Sequence, residues 1–336
     1  MSGGITQLVA IGAQDTYIVG DPEVSFFRSN YKRHTNFSHV VHRQVIQGNP
    51  SNGGMSTVRF ERKGDLLSYV YLTKKNGGEL QQFDDTTNDI NYIELLIGGQ
   101  VVDKQYADFS FNIADPLLVT SQNKASNAAN KFYPLHFWFC ESWQSALPLV
   151  SLQFHDVEIR ITWKEPETAS IYECWSDYIF LDTPERAVFS SGKAQNILMY
   201  QVQTQPSSGT SVQPLVFNQP VKFLACSSDI LSGATDLIKL QLNGTDIGDE
   251  KLYDQHFNTI PYYYHCPNAS NFNTFLHPFC LDTTKIQPSG SLNFSRLDSA
   301  RFVCSNGGIF DFGYIYAVNY NILKIENGMG GLMYAN

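Results

Sequence analysis

The chain carries eight histidines, six cysteines and 32 acidic residues, the side chains from which metal sites, nucleophiles and acid–base pairs are built. Their spacing argues against all three. His39 and His42 stand three apart in a strand-like stretch, so their rings face opposite sides and cannot share one ion. His136 and His277 lie among aromatic residues in what read as strands, and look like core or interface histidines. His155 borders Asp156, yet no motif sets a serine or cysteine beside them. Asp84, Asp85 and Asp89 could gather round a calcium ion, but the polar stretch 77–91 reads more simply as a solvated acidic loop. There is no G-x-S-x-G elbow for a nucleophilic serine, and Ser191-Gly192-Lys193 lacks the upstream glycine and the hydroxyl of a phosphate-wrapping loop. Gly328-Met329-Gly330-Gly331 completes no dinucleotide fingerprint and reads as a flexible terminal turn. Cys140, Cys174, Cys226, Cys266, Cys280 and Cys304 are scattered without any C-x-x-C, too sparse for a disulfide scaffold or a zinc site. They are expected to be buried free thiols in a reducing compartment. No catalytic, cofactor-binding or metal-binding residue is assigned, and the chain is expected not to be an enzyme.

The elements that would carry such residues point instead to a building block. The 336 residues are 43% hydrophobic and 13% aromatic, which excludes wholesale disorder and suits about two domains. Only 16% are charged, against about 25% in ordinary soluble domains, as expected of a surface hidden in something larger. A net charge of −9 excludes a generic nucleic-acid coat, which needs excess Lys and Arg. The basic run Arg28–His34 reads as a solvated end or a protein interface. The first residues show no basic signal-peptide start, and no run approaches about 18 apolar residues, so neither secretion nor a membrane span is expected. The four N-x-[ST] sequons, at Asn36, Asn243, Asn268 and Asn293, therefore read as coincidence.

Period-two alternation dominates. Val157, Ile159, Ile161 and Trp163 share one face and Asp156, Glu158, Arg160 and Thr162 the other, the pattern of a strand buried on one side. Residues 57–62, 66–73, 92–97, 197–204, 237–242 and 314–325 alternate likewise. Helix is expected only in short pieces, around 22–31, 107–120 and 249–257. Gly98-Gly99 and Asn243-Gly244 each follow a strand and suit the positive φ angles of tight hairpins; they lie 145 residues apart. Leu135–Cys140 resembles Leu276–Cys280, and Leu152-Gln153-Phe154 resembles Leu292-Asn293-Phe294, in the same order. Three ordered matches at similar offsets indicate a duplicated all-β domain, a sandwich or barrel repeated. The boundary is expected near Asp182–Arg186, giving an arm (1–35) and two domains (36–185 and 186–336).

Longer stretches carry a family resemblance. Gly4–Asp15 and Phe26–Phe37 are similar to the N-terminus of the major capsid proteins of nucleocytoplasmic large DNA viruses. So are Leu147-Pro148-Leu149 with Leu152–Val157, the stretch Gln287–Arg296, and Asn319–Ile325 followed by Gly328–Leu332. The order is kept along nearly the whole chain. The resemblance implies two tandem eight-stranded antiparallel jelly rolls with short helices in loops. It further implies a homotrimer forming a pseudo-hexagonal tile of an icosahedral shell, made and assembled in the host cytoplasm. Neighbouring capsomers and minor capsid proteins would be partners, with an inner membrane nearby but not spanned and no sequence-specific nucleic-acid binding. The chain is shorter than many relatives, so low outer loops are expected and a minor capsid paralogue is an alternative. A carbohydrate-binding jelly roll is the alternative of another class, though no calcium site or paired carboxylates support it.

Overall fold

The computed structural model describes residues 4–6, 12–29, 31–83, 89–119, 131–167, 169–226, 236–267 and 274–334. Two compact units result, Met1–Asn36 and Phe37–Asn336. In the first, residues 4–6 are helical, and a 3₁₀ turn, Ala13–Asp15, leads into a single helical turn, Thr16–Val19. Residues 22–29, expected to be helical, form only turns and bends. Pro22, Ser25 and the adjacent Phe26-Phe27 supply neither a cap nor the alternating apolar face a helix would bury.

The second unit holds four antiparallel sheets. One joins β1 (Phe37–Gln44), β11 (Ile171–Leu181), β4 (Leu66–Asn76) and β5 (Glu79–Gln81) in that order, with the short β8 (Tyr133–Pro134) and β9 (Leu147–Pro148) also on β4. Its partner sheet runs β2 (Ile46–Gln47), β3 (Met55–Arg59), β10 (Val157–Trp163), β6 (Ile90–Ile97), β7 (Gln100–Tyr106). The third joins β12 (Gln195–Pro206), β20 (Tyr314–Glu326), β14 (Pro220–Cys226) and β17 (Leu276–Pro278), with β18 (Leu292–Asn293) on β14 and β21 (Met329–Leu332) on β20. The fourth runs β13 (Val212–Pro214), β19 (Ala300–Cys304), β15 (Leu237–Leu242), β16 (Thr245–Leu252). The first pair and the second pair follow one topology, the interlocking order of a jelly roll, written twice. The last long strand of each lies between the first strand and the third, with Ile197 opposite Leu323 and Thr204 opposite Tyr316 in the second copy.

Local chemistry explains the turns. Gly98 and Gly99 sit at φ +59° and +81°, Asn243 and Gly244 at +49° and +80°, the mirror-image turn that keeps a twisted hairpin closed. At Gly98 a Cβ would strike the ring of His155 within 2.6 Å, so both the dihedral and the space demand glycine.

Three expectations need correction. Residues 249–252 are the end of strand β16; the helical turns begin only at Asp254. Helix Thr183–Ser190, capped by the Asp182 side chain at the Thr183 N–H with Pro184 in its first turn, occupies the expected boundary near Asp182–Arg186, where no helix was expected. Gly328–Gly331 is an ordered hairpin: Asn327 and Gly328 turn at positive φ and β21 returns along β20.

Candidate assembly interfaces

The residues weighed for chemistry are dispersed. His39 lies 3.0 Å from Asp177, while His42 meets the edge of the Tyr178 ring, so the two rings serve different neighbours. His277 is packed among Phe257, Phe279 and Phe302, and burial lowers its pKa to about 4, a neutral core histidine. Asp84 and Asp85 lie outside the described residues. Asp89 is not solvated as the loop reading expected. It is buried against Lys74 Nζ at 2.9 Å and accepts the Tyr172 hydroxyl at 3.0 Å, because β6 carries it inward beneath β4. Of the described sequon residues Asn36, Asn243 and Asn293, the last two use their side-chain oxygens to accept backbone N–H groups from Asp298, Ser299 and Ser295. Asn268 lies outside the described residues. The six thiols are free and five are buried. Among the described residues no three His, Cys, Asp or Glu side chains converge as a metal site would require.

One set of buried polar groups lies between the two barrels. One apolar cluster is shared across that boundary: Leu95, Phe109, Phe137 and Trp138 from the first barrel meet Met199, Tyr200, Tyr316 and Val318 from the second. A separate cluster, with Leu224, Phe257, Phe302 and Ile315, fills the second barrel itself. Strand β20 is therefore covered on both faces: Ile315 and Ala317 look into their own barrel, Tyr316 and Val318 toward the neighbour. Residues 107–117, a run of short α and π turns after β7, lie against this outer face. Phe109 packs on Tyr316 at 5.3 Å between ring centres, Tyr106 stacks on Tyr314 at 5.3 Å, and the Tyr316 hydroxyl donates to Asp108 at 2.9 Å.

Asp103 and His136 sit inside that seam. Asp103 accepts the Val202 N–H of the other barrel at 2.9 Å, the Lys104 N–H at 3.0 Å and the Gln105 side chain at 2.8 Å. Burial raises its pKa to about 7 against the pull of these donors. His136, expected in a strand, precedes the helical turn Trp138–Glu141. Its ring lies between Glu141 at 2.8 Å and Asp115 at 3.1 Å, and its carbonyl accepts the Tyr200 hydroxyl at 3.0 Å across the seam. Burial opposes the charge, but the two carboxylates outweigh it and hold the pKa at about 9. Neither Asp103 nor Asp115 was singled out from sequence. Asp103 had one signal, a carboxylate directly after the apolar pair Val101-Val102.

An exposed counterpart lies on the first barrel. On the outer face of β4 and β11, Tyr69, Tyr71 and Trp175 with Phe132 and Leu80 line an open groove of about 560 Å³, edged by Lys75, Lys131 and Glu173.

Comparison with known proteins settles what kind of molecule this is. Residues 25–182 match the family of the major capsid protein N-terminus, and residues 231–331 the large eukaryotic DNA virus major capsid protein family. Along the whole of both chains, the sequence is 33% identical to the major capsid protein of Pyramimonas orientalis virus and 30% identical to that of Paramecium bursaria Chlorella virus 1. The chain belongs to the major capsid proteins of large DNA viruses. The solved PBCV-1 virus capsid chain superposes with a TM-score of 0.78 at 26% identity, covering 93% of this chain and all of that one. The Faustovirus major capsid protein, at 10% identity and a TM-score of 0.65, shares the fold alone. This capsid protein thus has the double jelly roll of its family.

Proposed function

We propose that three copies of this capsid protein close into a pseudo-hexagonal capsomer that tiles an icosahedral shell. The carrying observation is the internal duplication: in one chain two barrels each place the last long strand between the first strand and a central one, so three chains supply six barrels. Threefold closure of such a pair fills a hexagonal lattice with one gene product. The sparse charge and the aromatic groove on the first barrel support extensive subunit contacts. We place the units at 1–35, 36–185 and 186–336, with helix Thr183–Ser190 as the connector. The shell would be assembled in the host cytoplasm over an inner membrane, held with minor capsid proteins, and no catalysis is assigned to it. Light scattering coupled to size exclusion tests this: the 37.8 kDa chain should elute as a trimer of about three times that mass. A monodisperse monomer at micromolar concentration overturns the proposal.

A further inference from the structure

The two barrels repeat one another, yet only one of two equivalent faces is covered. In the second barrel, the outer face of β12, β20 and β14 is packed beneath residues 107–117 of the first, and Tyr316 and Val318 are wholly buried. The equivalent face of the first barrel, on β1, β11 and β4, bears the open aromatic groove of Tyr69, Tyr71 and Trp175.

The covering element is duplicated as well. Asp108, Phe111 and Asn112 recur as Asp254, Phe257 and Asn258, each set in a run of helical turns, partly π-helical, following the second strand of its hairpin. Phe111 meets the edge of Tyr133 in its own barrel at 5.1 Å, and Phe257 stacks on Phe275 in its own at 5.1 Å. In the first barrel this element is largely buried under β20. In the second, Phe257 and Asn258 are buried in their own barrel, but residues 254–256, 259 and 260 stay exposed, with Tyr263 at 80% and Tyr264 at 71% accessible just beyond them. The molecule therefore has one filled joint and, at its two ends, one unfilled half of each kind.

We infer that residues 253–265 of a second copy of this chain dock into the groove formed by Tyr69, Tyr71 and Trp175, repeating between chains the joint that residues 107–117 make with β20 within one chain. Such a heterologous contact, in which unlike patches meet, closes into a ring when its rotation permits. Charge agrees with the docking. Arg43, Lys75 and Lys131 stand around the groove with the carboxylates Glu173 and, near Tyr69, the buried Asp177, whereas β16 and the turn after it present Asp246, Asp249, Glu250 and Asp254 against Lys239 and Lys251. Aromatic faces on both sides suit the desolvated centre of such an interface.

The inference rests on the trimer reading, and the experiment separates the two. Full-length protein with Tyr71→p-benzoylphenylalanine is sized by light scattering, irradiated, and its cross-linked peptides are sequenced by mass spectrometry. The expected result is a trimer whose cross-links join position 71 of one chain to residues 253–265 of another. A trimer with no cross-link between chains at position 71, or with cross-links to any other segment (residues 1–36 included), overturns the docking inference and leaves the trimer intact. Absence of a trimer before irradiation removes both. The double variant Tyr263→Ser/Tyr264→Ser, altered only at exposed positions, should lose at least tenfold in trimer affinity while its monomer melts unchanged. Wild-type affinity in that variant also overturns the inference.

Discussion

The carboxylate of Asp103 makes the strongest demand on the seam between the barrels, and removing its charge has a calculable effect. With its pKa raised from 3.8 to about 7 in the folded protein, the group binds its proton more tightly folded than unfolded. Stability from this site is thus complete at low pH and is lost as pH rises from the unfolded value through the folded one. About three pKa units correspond to about 4 kcal/mol over the full range, of which about 2–3 kcal/mol falls between pH 5 and pH 8. Asp103→Asn deletes that dependence. The amide oxygen can still accept from the Val202 and Lys104 N–H groups, but its NH₂ then faces the Gln105 amide donor, a mismatch costing about 1–2 kcal/mol at every pH. The variant should therefore be the less stable form near pH 5 and equal or exceed the wild type near pH 8. Urea denaturation of both proteins at the two pH values, at one protomer concentration because assembly adds to apparent stability, gives the double difference directly. Parallel pH profiles would show that Asp103 is ionised at ordinary cost, and would refute the argument.

Other outcomes follow from the same geometry. His136→Leu strands Asp115 and Glu141 together without their cation and should cost about 3–5 kcal/mol in urea denaturation. In the wild type, the histidine's contribution is complete below its unfolded value of 6.5 and lost as pH rises through about 9, so thermal melting should fall across that window and fall less in the variant. Lys74→Met should lose about 3–5 kcal/mol by leaving Asp89 buried and unpaired, and the double variant Lys74→Met/Asp89→Leu should recover part of that loss; if the double variant is worse than the single, the ion pair is not the reason. Gly98→Ala should lower the melting temperature more than Gly99→Ala, since both are forced to positive φ but only the first drives a methyl into the His155 ring.

Much of this architecture was legible along the chain because it is local. Alternation of Val157, Ile159, Ile161 and Trp163 against polar neighbours reports a face buried in one sheet, and β10 buries those four residues. Gly98-Gly99 and Asn243-Gly244 announce turns that few other residue pairs can make, and their repetition pointed to duplication. The pairing of 197–204 with the final long strand, over a hundred residues away, was also readable, because a jelly roll closes in only one order. What only the tertiary structure decided depends on which surface meets which. Asn319 and Asn321 are polar residues in an otherwise apolar strand, yet both are buried, on the side of β20 that Ile315 and Ala317 also occupy, donating to Gln219 and Gln201. Asp89 looks like part of a solvated loop and is drawn under Lys74. A charge pattern reports the sheet a strand belongs to, but not the neighbour packed on its other face. That neighbour is set by contacts between residues such as Asp103 and Val202, 99 apart in sequence, which no local period records.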